Sequence, residues 1–209
     1  MILETIVTTI NQDGSTNASP MGPRLDVQPG SDLQTIDRFE LRPFDTSQTF
    51  TNLKRTQSGV LHITDDAEMF ARSAIGTLDP FPETRPAEEV DGNIIVGACR
   101  SYEFVVEFID ETGQRMSLNC RTVKSHRQRD FVGFNRARNA VLEAAILATR
   151  LEFLPAAEIA DQFFRLNTIV DKTGGPCEHA AIAMLNEYVD HPSSPVAPTA
   201  SDQGSTDGN

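Results

Sequence analysis

The chain has 209 residues, 39% of them hydrophobic, and a formal net charge of −12 at neutral pH. That length suffices for one large domain, or for a barrel with a helical appendage. The negative charge opposes nonspecific contact with nucleic acid phosphates, and no apolar run reaches the roughly 18 residues that a membrane span needs, so neither nucleic acid nor membrane is expected as a partner.

Residues 2–10 alternate and are rich in Ile, Val and Thr, which predicts a strand. Asp13-Gly14 supplies a hairpin turn, and the chain re-enters an extended stretch through Thr16 to Leu25. Pro20 and Pro23 cannot donate ladder hydrogen bonds, so this stretch is expected at an edge or interrupted. Residues 39–44 read as a short strand. A helix follows from Ser47 to about Gln57, stopped by Ser58-Gly59, and then a buried strand at residues 60–63. Asp65-x-x-Glu68 looks like a capping box opening a helix to Leu78. The proline- and acid-rich residues 79–92 read as a loop.

A long hairpin is expected next. Tyr102, Phe104, Val106 and Phe108 lie on one face, and the return strand places Met116, Leu118 and Cys120 on another. After Gly133 the apolar period becomes helical, through Phe134, Ala137, Val141, Ala144, Ala148 and Leu151. A second helix starts at Pro155 with Ile159, Phe163, Leu166 and Val170 inward, and a third runs from Pro176 to Tyr188. From His191 the composition is Ser, Pro, Thr, Gly and Asp, which cannot offset its own ordering entropy. Strands fall before residue 127 and helices after 133, which suggests an α+β chain. The expected units are a barrel over 1–130, a helical layer over 131–190 and a disordered tail over 191–209.

The Met1-Ile2-Leu3-Glu4 start lacks the basic and apolar segments of a signal peptide. Cys99, Cys120 and Cys177 are odd in number and far apart, which fits a reducing compartment. A cytoplasmic location is therefore expected. Cys177-x-His179 is the one close Cys/His pair, and nothing complements it into a zinc site, so no metal is expected. Phosphate-cradling glycine loops, a nucleophile elbow and a His-Glu-x-x-His helix are all missing. Asp171 to Gly175 reads as a helix closing on glycine. Arg121, Lys124, Arg127, Arg129, Arg136 and Arg138 form a basic island containing one acid, Asp130. It faces either an anionic ligand or the protein's own surplus carboxylates.

Two segments can carry chemistry together. Asn17-Ala18-Ser19-Pro20-Met21-Gly22-Pro23 offers free backbone groups and flat apolar contact, as a flavin edge requires. Arg42 and the hydroxyls and amides at Ser47, Thr49 and Asn52 stand at the start of a predicted helix, a natural phosphate site. A proline-broken edge strand and ordinary helix capping are the plain structural readings of the same residues.

The order of these pieces resembles the flavin-reductase-like FMN-binding split β-barrels. The helical run Gly133-Phe134-Asn135-Arg136-Ala137, with residues 140–146 and 148–151, is similar to an uncharacterised, largely archaeal branch of that superfamily. The resemblance spans residues 1–189. It implies a split barrel with a C-terminal helical layer and FMN as cofactor. The ring would lie beside Ser19, Pro20, Met21 and Gly22, and the phosphate at Arg42, Ser47, Thr49 and Asn52. It also implies a homodimer with each flavin near the interface. A nicotinamide reductant or an anionic small molecule would be the further partner. His62 stands where flavin reductases commonly have asparagine, and it reads as a core histidine. No side chain stands out as a general acid or base, so catalytic residues are not assigned. The implied function is a flavin-dependent oxidoreductase of unknown substrate. The alternatives are a flavin carrier or a dimeric interaction protein that has lost the cofactor.

Overall fold

A computed structural model describes residues 1–27, 35–113 and 116–191. Its first hairpin joins β1 (Thr5–Ile10) to β2 (Thr16–Met21) through a turn in which Gly14 adopts φ +85° and donates its N–H to Asn11 O at 3.0 Å. That positive φ is cheap for glycine alone. β3 (Arg38–Leu41), α1 (Gln48–Thr56), β4 (Ser58–Ile63) and α2 (Ala67–Ala74) follow. Then come β5 (Thr84–Pro86), β6 (Asn93–Ile95), β7 (Arg100–Asp110) and β8 (Ser117–Arg127). The last three elements are α3 (Arg136–Ala148), α4 (Ala156–Thr173) and α5 (Pro176–Asp190).

Six strands form one antiparallel sheet in the order β2-β1-β4-β7-β8-β3. The chain beyond β2 curls back to β3: Arg24 exchanges backbone hydrogen bonds with Glu40 at 2.8 and 2.9 Å, and it also bridges Ile2. This contact brings the two ends of the sheet together, so the strands enclose an apolar interior. Two bulges in the β7/β8 ladder, at Glu103/Phe104 and Val106/Phe108, bend that long hairpin around it.

Side-chain alternation divides the core. Val7, Leu61, Phe104 and Leu118 belong to the barrel interior, where Phe39 meets Phe104 edge-on at 5.2 Å. From α1, Phe50 and Leu53 join the same cluster. Ile6, one residue from Val7, belongs instead to a second cluster with α2, α3, α4 and α5. In α3, Ala137, Ala140, Ala144, Ala145 and Ala148 are all buried, and their small side chains let the neighbouring helices approach. Gly59 serves the barrel in the same way, since a Cβ there would meet the Phe104 ring at 2.9 Å and Thr8 O at 3.0 Å. No helix among the described residues is long and apolar enough to cross a membrane.

Several expectations shift. The first helix is closed by Gln57 in the left-handed region (φ 55°), while Ser58 and Gly59 already belong to β4. Asp66 rather than Asp65 caps α2, accepting from Met69 N at 2.9 Å, and the helix ends at Ala74 rather than Leu78. The acidic loop contains β5, paired with β6. Phe134 lies outside α3 and is 98% exposed, because Asn135 caps the helix one residue later. The expectation of a disordered tail falls almost wholly on 192–209, outside the described residues.

Candidate functional site

β2 is the outer strand of the sheet, with β1 as its strand neighbour, and all six of its residues are half-buried. Ser19, Pro20 and Met21 lie on it and Gly22 follows it. The first turn of α1 is fixed against this hairpin by a seam of amides and hydroxyls. Asn17 Nδ2 donates to Thr9 Oγ1 and Thr49 Oγ1, both at 3.2 Å. Asn52 Nδ2 donates to Thr9 Oγ1 at 3.0 Å and Asn11 Oδ1 at 2.8 Å, and its Oδ1 accepts from Gln48 Nε2 at 2.9 Å. Thr49 and Asn52 are fully buried there. Ser47 caps α1, accepting from Phe50 N at 3.1 Å and donating to Phe44 O at 2.8 Å.

The structure therefore brings Thr49 and Asn52 to the β1–β2 hairpin, but their polar atoms are occupied within the protein. Arg42 differs. Its Nε lies 3.5 Å from Glu40 Oε1, beyond good hydrogen-bond geometry, and is buried without a hydrogen-bond partner. A buried N–H left in this way costs free energy that an incoming acceptor would recover.

A separate cleft of about 1010 Å3 opens at the barrel end between the start of β1, the end of β4 and the start of β7 on one side and α2 and α3 on the other. None of the eight residues expected from the sequence lines it. Its walls include Glu4, Phe70, Tyr102, Phe131, Phe134 and Glu143. It lies close to the end of β2, because Leu3, in its wall, donates its backbone N–H to Pro23 O at 3.2 Å. The apolar run Phe131-Val132-Gly133-Phe134 is the sequence signal that marks this cleft.

Asp65, just past β4, organises the cleft's floor. It pairs with Arg129 and with Arg138 (3.4 Å), and accepts from Val132 N at 3.0 Å and Cys99 Sγ at 3.6 Å. Chiefly through Arg129, its carboxyl is held down at about 2, against burial. Arg138 also reaches Glu178 at 3.0 Å. Elsewhere in the basic island Arg121 pairs with Glu107, Lys124 with Glu88 and Arg127 with Asp130. Five of its six cations thus neutralise the protein's own acids. Arg121, Lys124 and Arg127 do so at exposed sites, where such pairs contribute little.

His62 is fully buried between β1 and β6. Its Nε2 accepts from Ile95 N at 3.0 Å, which leaves the Nδ1 proton for Ile6 O at 3.2 Å. Burial pushes its pKa down to about 4, so it is a neutral core residue. Glu103 is also fully buried. Burial works to raise its pKa, but the N–H groups of Glu88 and Glu89 and the His126 ring overcome that and lower it.

A family model named "Protein of unknown function (DUF447) N-terminal domain" matches residues 3–129, and a second, "Protein of unknown function (DUF447)", matches residues 135–187. The chain belongs to the DUF447 family. The crystal structure of the FMN-bound DUF447 protein MM1853 from Methanosarcina mazei superposes with a TM-score of 0.73 at 24% identity, covering 89% of this chain and 94% of that one. Flavoredoxin from Methanosarcina acetivorans superposes with a TM-score of 0.50 at 11% identity, covering 63% and 72% of the two chains. No curated protein matches. This DUF447 chain thus shares the α+β fold of MM1853, an antiparallel barrel followed by a C-terminal helical layer.

Proposed function

We propose that this DUF447 protein is an FMN-binding flavoprotein with oxidoreductase chemistry. The observation that carries the reading is the fold shared along most of both chains with an FMN-bound member of the same family. The Nε of Arg42, buried without a hydrogen bond and facing Glu40 at 3.5 Å, favours the phosphate end of the site that the sequence suggests. In this reading the ring edge lies against the free side of β2 at Ser19, Pro20, Met21 and Gly22. The phosphate is taken by Arg42 at the start of α1, whose dipole favours an anion, while Ser47, its hydroxyl occupied by Phe50 N and Phe44 O, holds the capped turn in place. Thr49 and Asn52 act differently: their bonds to Asn17, Thr9 and Asn11 hold α1 and the hairpin in register. FMN, when bound, supplies hydride and electron transfer; the chain's own residues bind it, orient it and exclude water from it.

A homodimer with the flavin near its interface and a nicotinamide reductant belong to the same proposal. FMN titration of apo-protein tests the binding half. Arg42→Met should weaken FMN by about tenfold or more, the loss of one charge-assisted phosphate contact, without moving the melting temperature. FMN affinity untouched by this change would remove the phosphate end from the α1 region. Stopped-flow mixing with NADH or NADPH tests the chemistry. Flavin bleaching with repeated turnover supports an oxidoreductase, and reduction without turnover supports a carrier.

A further inference from the structure

The cleft at the barrel end has a charge distribution that the flavin reading does not use. Four carboxylates (Glu4, Asp65, Asp66 and Glu143) and two guanidiniums (Arg100 and Arg138) face it. Both guanidiniums act on acids of the protein: Arg138 on Asp65 and Glu178, and Arg100 on Asp130. Asp65 is saturated by Arg129, Arg138 and Val132 N, and Asp66 caps α2. Glu4 and Glu143 are what remains. The ion pairs among the described residues give neither of them a basic partner. They stand close enough that the negative charge of Glu143 adds to burial in raising the Glu4 pKa.

Two like charges facing one cavity repel, and an incoming cation relieves that repulsion. The rest of the wall suits an apolar cation rather than a hydrated ion. Phe70 and Tyr102 are buried at its base, while Phe131 and Phe134 stand at its rim, edge to face at 6.5 Å and 48% and 98% exposed. Aromatic faces attract organic cations, and an exposed aromatic rim beside a deep cleft marks a surface that gains by being covered. Among the described residues no cluster of three or more His, Cys, Asp or Glu suits a metal ion.

We propose that this cleft binds an organic cation with an aromatic or apolar body, its positive group received by Glu4 and Glu143 and its body by Phe70, Phe131 and Phe134. The site contains none of the residues assigned to the flavin, so the two readings stand or fall separately.

Isothermal titration of the full chain with phenethylammonium tests it, against phenethyl alcohol and hydrocinnamate as neutral and anionic probes of similar shape. The cation should bind, the alcohol about tenfold more weakly or worse, and the anion not measurably. Glu4→Gln and Glu143→Gln should each weaken the cation by about tenfold without lowering the melting temperature, since both residues are exposed and neutralising either relieves their mutual repulsion. Phe134→Ala should weaken it severalfold, again without unfolding a residue-poor contact. Saturating FMN should leave the cation affinity as it was. Failure of the protein to take up FMN, with cation binding intact, would sink the flavin reading and leave this one standing. Equal binding of cation and anion, indifference to both glutamate changes, or displacement of the cation by FMN would each overturn it.

Discussion

Replacing Asp65 by asparagine keeps the shape of the residue and removes the charge on which Arg129 and Arg138 converge. The Asp65 side chain is 5% exposed, so the pair is little screened by solvent. A carboxyl held at about 2 rather than its ordinary 3.8 contributes about 2 kcal/mol of folding stability at neutral pH. In a chain of this size that corresponds to a melting temperature lower by roughly 4–8 °C. The amide also turns a donor towards the guanidiniums and Val132 N, so the loss should not be smaller. Because the folded-state pKa is depressed, this stability is present above the ordinary 3.8 and is lost as pH falls through about 2. The gap between wild type and Asp65→Asn should therefore close over that window. Urea unfolding of both proteins at a series of pH values measures it. A gap below about 0.5 kcal/mol at neutral pH, the scale of an exposed pair, or a gap that persists at the lowest pH, would refute the reasoning.

His62 should impose a second pH dependence, at higher pH. Its folded pKa of about 4 lies below the ordinary 6.5, so the unfolded chain takes the proton first and stability falls as pH drops between these values. An NMR titration should find its imidazole neutral to below pH 5; a charge on it at pH 6 would contradict the satisfied core geometry. Glu103→Gln should destabilise the fold by about 1–3 kcal/mol and speed amide exchange at Glu88 and Glu89, whose N–H groups it anchors at 2.9 and 2.6 Å; unchanged exchange at those two amides would count against the anchor. Asn52→Ala should loosen α1 from the β1–β2 hairpin and lower FMN affinity together with stability, whereas Arg42→Met should lower the affinity alone; equal stability losses in both variants would erase that distinction.

Much of the fold is legible from local chemistry. The Ile/Val/Thr alternation of β1, the Asp13-Gly14 turn and the alanine-rich period of α3 each have a local physical cause. So do the glycine and proline that separate α4 from α5. What stays hidden depends on distant partners. In sequence the spacing to Glu68 favours Asp65 as the helix cap, and only the approach of Arg129 and Arg138 from far along the chain draws Asp65 away and leaves the cap to Asp66. Thr49 and Asn52 read as open phosphate ligands, because nothing local reveals that Asn17, Thr9 and Asn11 meet them. The basic island reads equally as an anion site or as partners for the protein's own acids until Glu107, Glu88, Asp130 and Asp65 are in place. The cleft is assembled from five separate stretches of chain, so no single motif encodes it; the apolar run at residues 131–134 is its one local trace.

The absorption spectrum of the purified protein, before and after denaturation, bears most directly on the central claim. The protein is expected to be yellow, with flavin bands that convert into those of free FMN on unfolding, or to acquire them stoichiometrically from added FMN as an apo-protein. A colourless protein that refuses FMN at every concentration would contradict it.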